Sequence, residues 1–274
     1  MSAAAVPETD SFAGGGICLV AAEQARQTTT QSQERRMERT YQTAPCAALR
    51  RRSDPAGAVL RYRPDMGEAT AVRARLRRGI GPLYSGALHF AFTSAVALAV
   101  IALALSRLHS PSALELLTVP FTFLYANFVE WRAHRGPMHR KIRGLSLIHE
   151  RHALQHHAFF TAADMQIDSR RDFKMVLFPP VLVLFFFGLF AVPVGFALRL
   201  AFGPNAAALF VATSMGYFLL YEWLHLAYHL PVPLPGIEWL RSHHQTHHDP
   251  RLMTRTNFNI TFPICDAIFG TRAA

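Results

Sequence analysis

The sequence predicts an all-α integral membrane protein with about four transmembrane helices and a helical cap at one membrane face. Two observations lead to this fold class: long uncharged apolar runs, and positive charge concentrated between particular runs. Hydrophobic residues make up 51% of the 274 residues, and the formal net charge is +10. This combination argues against an ordinary soluble globule and, in the apolar runs, against intrinsic disorder.

The apolar runs define the predicted spans. Residues 84–105 are 22 residues without a formal charge, roughly 33 Å of helix and enough to cross a bilayer core. Residues 175–221 carry a single formal charge, Arg199, and the turn-prone Gly203-Pro204-Asn205 follows it, which predicts two spans joined by a short turn. The 14 residues 116–129 predict a shorter crossing, with Glu115 at the interface.

Charge distribution predicts the orientation of these spans. Residues 132–174 contain nine Lys and Arg, whereas the stretches on the opposite side contain Arg107 and Arg199, so the positive-inside rule places residues 132–174 in the cytoplasm. The thirteen arginines of residues 1–80, against eight acids, also favour the cytoplasm. Four spans with both termini inside is therefore the predicted topology. A bacterial inner membrane and the endoplasmic reticulum satisfy this rule equally.

Residues 1–80 are predicted to be a disordered, Arg-rich segment, because they lack a sustained apolar period. They contain no apolar core of a signal peptide, and Met66 is an alternative start codon. Nucleic-acid binding is not expected, since the basic residues alternate with acids and no aromatic residues are interleaved. Residues 81–274 are predicted to form the membrane-embedded domain.

Histidine spacing carries the chemical signal. Ten of the fourteen histidines fall into four clusters: His134 and His139; His152, His156 and His157; His225 and His229; His244, His247 and His248. Spacings of three or four place side chains on one helix face, so each of the last three clusters can aim two or three imidazoles at a common point. His134 and His139 are five apart with Gly136-Pro137 between them, and they converge only if the backbone bends.

Ten imidazoles exceed the roughly four to six ligands that one metal ion accepts, so two metal ions are implied. Neutral imidazole suits iron, zinc, copper and nickel. The three cysteines lie outside the clusters and form no C-x-x-C pair, which favours a redox or Lewis-acid centre over a structural zinc site. His89 and His109 are expected to be structural, and His149 and His243 to lie outside the ligand set.

Carboxylates near the clusters are candidates for orienting the imidazoles. The candidates are Glu130, Asp164, Glu222 and Asp249. Glu130 precedes His134 by four residues and Glu222 precedes His225 by three, which is one helical turn in each case. Ion pairs with nearby arginines are the alternative role.

These spacings resemble the fatty acid hydroxylase and sterol desaturase superfamily of membrane histidine-box oxygenases, over roughly residues 116–272. Within it the pattern is similar to that of the fatty acid 2-hydroxylases, because residues 257–261 and 266–271 resemble the ending of that family. Two departures are Glu222, where those hydroxylases tend to have Asp, and Asn257 and Asn259, where glycines are common. Asn tolerates the left-handed backbone conformation that such glycines adopt.

The resemblance implies that the ten histidines bind a non-haem di-iron pair, although zinc can replace iron in purified protein. It further implies dioxygen-dependent hydroxylation or desaturation of a lipid acyl chain, with electrons from an external NAD(P)H-linked donor through a separate electron-transfer protein. A sterol or carotenoid oxygenase of the same superfamily is an alternative. A histidine-rich metal transporter is an alternative from another class, which the absence of acids in residues 175–221 disfavours.

Overall fold

The computed structural model describes residues 66–273, which are mostly helical and contain one isolated β-bridge, between Thr161 and Asp164, but no strand. The α-helices are α1 (Met66–Arg78), α2 (Gly86–Leu105), α3 (Ala113–Leu116), α4 (Thr118–Ala133), α5 (Ser146–His149), α6 (His157–Phe159), α7 (Pro180–Phe186), α8 (Val192–Phe202), α9 (Pro204–His229), α10 (Glu238–His247) and α11 (Ile264–Ile268). Wider π-helices form at His134–Met138, Glu150–His156 and Phe187–Ala191, and a 3₁₀-helix forms at Arg170–Met175. The predicted all-α class is confirmed, whereas the predicted disorder of residues 1–65 lies outside the described residues.

Three helical stretches of the described residues are long and apolar enough to cross a membrane: Gly86–Leu105, Arg170–Phe202 and Pro204–His229. They include the predicted span at 84–105 and the predicted pair in 175–221. The fourth predicted crossing, residues 116–129, falls in α4. At 16 residues, α4 covers about 24 Å, less than the roughly 30 Å of a bilayer core. Length and composition thus support three of the four predicted crossings.

The membrane helices show different degrees of burial. Only 17% of the most apolar window of α2 and 13% of that of Arg170–Phe202 are buried, so most of their apolar side chains face outward, as expected of helices that contact lipid. Helix α9 is 44% buried in the same measure and packs against α2, α4 and α8. Met215 and Leu219 of α9, for example, form an apolar cluster with Ala97 of α2. Helix α9 is therefore the central helix of the bundle.

The turn predicted between the last two spans is present at Gly203. Its φ of +92° is a conformation that favours glycine, and Pro204 follows at the first position of α9, where a proline costs no hydrogen bond. The Asn205 side chain donates from Nδ2 to the carbonyl oxygen of His109 at 3.0 Å. This bond ties the start of α9 to the connection that follows α2.

Helix α1 corrects the predicted disorder for residues 66–78. Helix α1 packs against the rest of the protein through arginines as much as through apolar side chains. The helix was therefore not predicted from the periodicity of apolar residues. Arg73 is buried and forms an ion pair with Asp164, and Arg77 forms ion pairs with Asp168 and Asp172. These acids lie about 90 residues away in the sequence, so the partners that stabilise α1 are tertiary contacts.

Candidate metal centre

Nine of the ten predicted histidines gather into two groups in which the candidate ligand nitrogens lie within 4.8 Å of one another. The first group consists of His134, His139, His152, His157 and His247, and the second of His156, His229, His244 and His248. All nine residues are buried. The two groups are neighbours, since the rings of His157 and His248 have centroids 4.3 Å apart. Two adjacent candidate metal-binding groups are thus present, the number that the count of histidines predicted.

The bend predicted between His134 and His139 is a kink at Gly136. Within the π-helical stretch His134–Met138, Gly136 departs from helical geometry with φ of −94° and ψ of −109°. Both rings belong to the first group, stacked with centroids 5.2 Å apart. A five-residue spacing, which is off one face of an α-helix, therefore converges because the backbone is kinked at Gly136.

Each of the two three-histidine clusters brings two imidazoles to one group and the third imidazole to the other group. His152 and His157 belong to the first group and His156 to the second, because Glu150–His156 is a π-helix and residues five apart share its face. In the regular helix α10, the four-residue pair His244 and His248 belongs to the second group, and His247 points to the first. The clusters are shared between the two groups.

His225 lies at the edge of the second group. Its Nε2 atom is 3.2 Å from Nε2 of His156, although the residue is not among the nine that converge most closely. Its Nδ1 atom is buried without a hydrogen-bond partner. His225 therefore offers a nitrogen beside the second group.

Backbone carbonyls orient five of the imidazoles. In the first group, Nδ1 of His134 bonds to the carbonyl oxygen of Phe258 at 2.5 Å, and Nδ1 of His247 to that of Thr256 at 2.8 Å. In the second group, Nδ1 of His156 bonds to the carbonyl oxygen of Met175 at 2.9 Å, and Nδ1 of His229 to that of Met165 at 2.7 Å. Nδ1 of His248 bonds to the carbonyl oxygen of Phe160 at 2.9 Å. A carbonyl oxygen only accepts, so each Nδ1 must carry the proton. In a neutral ring Nε2 then has a free lone pair, which is the state that binds a metal ion.

Burial keeps these rings neutral. It lowers the pKa of His247 to about 4. It also lowers, to well below the usual value, the pKa of seven other rings: His134, His139, His152, His156, His157, His244 and His248. In most of these rings, the neighbouring imidazoles lower the pKa further by disfavouring a second positive charge. The first group also contains an orphaned acceptor, because Nε2 of His134 is buried without a hydrogen-bond partner.

The donor set fits metal ions. Nε2 of His156 lies 3.1 Å from Nε2 of His248, and both atoms carry lone pairs because both Nδ1 protons are donated elsewhere. Two lone pairs repel at this distance unless a cation binds both. Buried, neutral imidazoles without thiolates suit iron and the other divalent transition metals.

The predicted carboxylates have other partners than the ligand imidazoles. Asp164 pairs with Arg73, and Asp249 with Arg251 at 2.6 Å, so the ion-pair alternative holds for both. Glu222 accepts from the backbone N–H of Phe178 at 3.3 Å.

Glu130, predicted to lie beside His134, instead holds the segment that follows the last histidine cluster. It accepts from the hydroxyl groups of Tyr217 and Thr261 at 2.5 and 2.7 Å, and also from the backbone N–H groups of Ile260 and Thr261. Because this segment continues from Phe258, whose carbonyl oxygen orients His134, Glu130 acts on the site through the backbone.

Asp266 is a functional candidate that sequence reasoning missed. Its buried carboxylate accepts from the backbone N–H groups of Phe258 and Asn259, from the Thr271 hydroxyl at 2.6 Å, and lies 3.3 Å from Nε2 of His243. It therefore anchors the carbonyl that orients His134. The resemblance of residues 266–271 to a family ending was the only signal for it.

The two asparagines that depart from the family pattern are accommodated. Asn257 has φ of +58°, the left-handed conformation expected of it, and donates from Nδ2 to the carbonyl oxygen of His243 at 2.9 Å. Asn259 is fully buried and donates from Nδ2 to the carbonyl oxygen of Asn127 at 2.9 Å. Both amide groups thus serve the protein's own backbone.

The four histidines expected to lie outside the ligand set belong to neither group of converging nitrogens. His243 contacts Asp266, and Nδ1 of His149 bonds to the carbonyl oxygen of Met138 at 3.3 Å. His89 lies between the Tyr84 hydroxyl at 2.9 Å and the carbonyl oxygen of Phe178 at 3.2 Å. His109 is exposed near the start of α9.

An apolar cavity of about 170 Å³ lies between α4, α7 and α9. Residues from Phe210 to Tyr221 of α9 line one wall, and Val129 and Ala133 of α4 line another. Met138, between the two histidines of the first cluster, also lines it. The Tyr221 ring is 5.6 Å from the ring of His225, so the cavity reaches the edge of the histidine groups.

Comparison with known proteins agrees with this arrangement. A family model described as fatty acid hydroxylase matches residues 119–271, more than half of the chain, and includes every histidine of both groups. The chain belongs to the fatty acid hydroxylase family. Among curated proteins no match is found.

A solved structure described as "Full length scs7p (only hydroxylase domain visible)" is similar to this chain at 19% identity, with a TM-score of 0.49. The similarity covers 65% of this chain and 63% of that chain. The fatty acid hydroxylase family model begins inside α4. Helices α1 and α2 therefore precede the part of the chain that the family defines.

Proposed function

We propose that this protein is a membrane non-haem di-iron lipid hydroxylase that inserts oxygen into an acyl chain. Family membership supports a lipid hydroxylase, and the facing lone pairs of His156 and His248 are the observation that supports a metal centre. The reaction consumes one dioxygen, two electrons and two protons, and yields one alcohol and one water. Bound iron supplies the oxidant for an unactivated C–H bond, which no side chain can supply.

The chain's own residues bind the metals and the substrate. The ten histidines, including His225, are the proposed ligands. Backbone carbonyls keep the Nδ1 atoms of five of them protonated, so that Nε2 of these five faces the metal. The apolar cavity beside Met138 and Tyr221 receives the acyl chain from the bilayer and excludes water from the reacting carbon. Its apolar walls select a hydrocarbon chain.

Residues 132–174 face the cytoplasm by the positive-inside rule, which places both histidine groups where a soluble reductant reaches them. Electrons come from an NAD(P)H-linked donor through a separate electron-transfer protein. Residues 81–274 form the membrane-embedded domain, in a bacterial inner membrane or the endoplasmic reticulum.

The test combines metal analysis with lipid analysis. Detergent-purified protein is analysed by elemental mass spectrometry, and lipid extracts of expressing and non-expressing cells are compared for mass gains of one oxygen. Near two irons per chain together with a hydroxylated acyl chain supports the proposal. A mass loss of two hydrogens indicates desaturation, an oxidised sterol or carotenoid indicates the alternative oxygenase, and bound metal without an oxidised lipid favours transport.

A further inference from the structure

Helix α1 lies outside the family region, yet its Arg73 reaches the segment beside the second histidine group. The buried guanidinium forms an ion pair with Asp164 and donates from Nη2 to the carbonyl oxygen of Gln166 at 2.5 Å. It also lies over the Phe159 ring, 4.7 Å from the centroid. Arg73 therefore contacts three residues between Phe159 and Gln166 through three different interactions.

Arg77, one helical turn further along α1, binds the next part of the same segment. Its Nε and Nη2 atoms donate to the two carboxylate oxygens of Asp172 at 2.9 and 2.8 Å, and Nη2 also pairs with Asp168. Asp172 is fully buried. A bidentate bond of this kind fixes direction as well as distance.

The segment that these arginines hold, residues 160–175, supplies the carbonyl oxygens for the second group. Phe160 accepts from His248, Met165 from His229, and Met175 from His156. Three of the four histidines of this group thus take their orientation from one segment. In the first group the corresponding carbonyls belong to Thr256 and Phe258, in a part of the chain that Asp266 and Glu130 hold.

We propose that Arg73 and Arg77 are positioning residues for the second histidine group and determine its metal affinity. They hold residues 160–175 so that three carbonyls keep the Nδ1 protons of His156, His229 and His248 and direct Nε2 towards the metal. The inference rests on the proposed function, because it requires that both histidine groups bind metal. It makes the metal affinity of the second group, but not that of the first, depend on α1, a helix outside the residues that the family model matches.

The test is metal titration of the full chain. Protein purified in detergent is stripped of metal and titrated with Co²⁺, whose absorption bands report histidine coordination, and the number and affinity of sites are fitted. Wild type is expected to bind two equivalents. Arg73→Met is expected to keep one site at wild-type affinity and to weaken the other by about 10- to 100-fold, the usual cost of losing a group that orients ligands.

Matched variants separate positioning from general stability. Arg78→Met replaces an exposed arginine of the same helix and is expected to leave both affinities unchanged. Arg73→Lys and Arg77→Lys keep the charge without the planar fork, and are expected to weaken the same single site by a smaller factor. If Arg73→Met does not fold, as judged by size exclusion and melting temperature, these two lysine variants decide the question.

Each outcome has a definite meaning. Two sites with wild-type affinity in the folded Arg73 and Arg77 variants would overturn the positioning role while leaving the metal centre intact. Equal weakening of both sites would also overturn it, since it would indicate a general loss of structure. A wild-type protein that binds no Co²⁺ would overturn the metal centre itself, and the inference with it.

Discussion

His156 and His248 face each other through Nε2 atoms 3.1 Å apart, while Nδ1 of each ring lies 2.9 Å from a backbone carbonyl oxygen. The carbonyls of Met175 and Phe160 hold the protons, so the facing nitrogens cannot form a hydrogen bond in their neutral state. Burial lowers the pKa of both rings and opposes a shared extra proton. This arrangement is favourable when a cation lies between the nitrogens, and several consequences can be measured.

Replacing a ligand histidine should abolish oxidation without preventing membrane insertion. For His156→Ala, His157→Ala, His247→Ala and His248→Ala we expect lipid hydroxylation to fall more than about a hundredfold, because losing even a group that orients a ligand costs roughly 10- to 100-fold. Turnover is measured by lipid mass spectrometry, normalised to the membrane-inserted protein. His89→Ala and His109→Ala are the controls and should retain turnover. Full activity in the four ligand variants would contradict the di-metal site.

Removing metal should destabilise the protein. A ligand present at 100 times its dissociation constant stabilises the native state by about 2.7 kcal/mol. At this chain length each 1 kcal/mol shifts the melting temperature by about 2–4 °C. Chelation is therefore expected to lower the melting temperature by about 5–10 °C. The melting temperature is followed in detergent before and after dialysis against a chelator, and again after Fe²⁺ is restored under anaerobic conditions. Mg²⁺, which prefers oxygen ligands, is the control and should not restore it. An unchanged melting temperature would show that the facing lone pairs are tolerated without metal.

Filling the apolar cavity should block the substrate and leave the metals bound. Ser214 lines the cavity of about 170 Å³, and Ser214→Phe adds an aromatic ring to it. We expect kcat/KM for the lipid to fall about tenfold or more, since small displacements of a reacting carbon have large effects on rate. Metal content is measured in parallel and should match that of wild type.

The control for this variant is Leu200→Phe. Leu200 of α8 is 72% exposed and faces away from the protein interior, so a larger side chain there should not alter turnover. Equal losses of activity in the two variants would indicate a general packing effect. Unaltered kinetics in Ser214→Phe would place the acyl chain elsewhere.

Neutralising Asp266 should destabilise the segment that orients the first group. In Asp266→Asn, an amide nitrogen replaces one of the two acceptor oxygens. It then faces the backbone N–H of either Phe258 or Asn259, and this N–H can only donate. A buried donor without an acceptor costs about 1–3 kcal/mol, and more where a charged partner is lost, so we expect unfolding to become easier by about 2–4 kcal/mol. Asp249→Asn, which removes an ion pair with the exposed Arg251, is the control and should change stability by less than about 1 kcal/mol. Equal stability of both variants would remove the structural role assigned to Asp266.

The same carboxylate gives a pH dependence with a definite sign. Burial acts to raise the pKa of Asp266, but the hydrogen bonds from His243, Thr271 and the backbone of Asn259 and Phe258 outweigh it, and the pKa is lowered. Because the unfolded value is about 3.9, the stabilisation is present above about pH 4 and is lost as pH falls through the lower folded value. The difference in melting temperature between wild type and Asp266→Asn should therefore shrink below about pH 4. A difference that shrinks on going above pH 5 would contradict this assignment.

The spans and the histidines were predictable because both depend on short-range patterns. An uncharged run such as 84–105 is long enough to cross a bilayer whatever surrounds it, and the spacing of His244 and His248 matches one face of an α-helix. The turn at Gly203 followed from residue types that tolerate its backbone geometry. The ten histidines, their burial together and the approximate positions of three spans could therefore be predicted from residue order.

The tertiary structure decided how the histidines divide and what orients them. The π-helix at Glu150–His156 sends His152 and His156 to different groups, because its wider turn changes which residues share a face. Backbone carbonyls, not the predicted carboxylates, orient the rings, and a carbonyl at Phe160 looks like any other in the sequence. Helix α1 was missed for the same reason, since Arg73 is buried only because Asp164 lies opposite it in the fold. Local pattern determines which residues can bind a metal, and contacts between distant segments determine which of them share one.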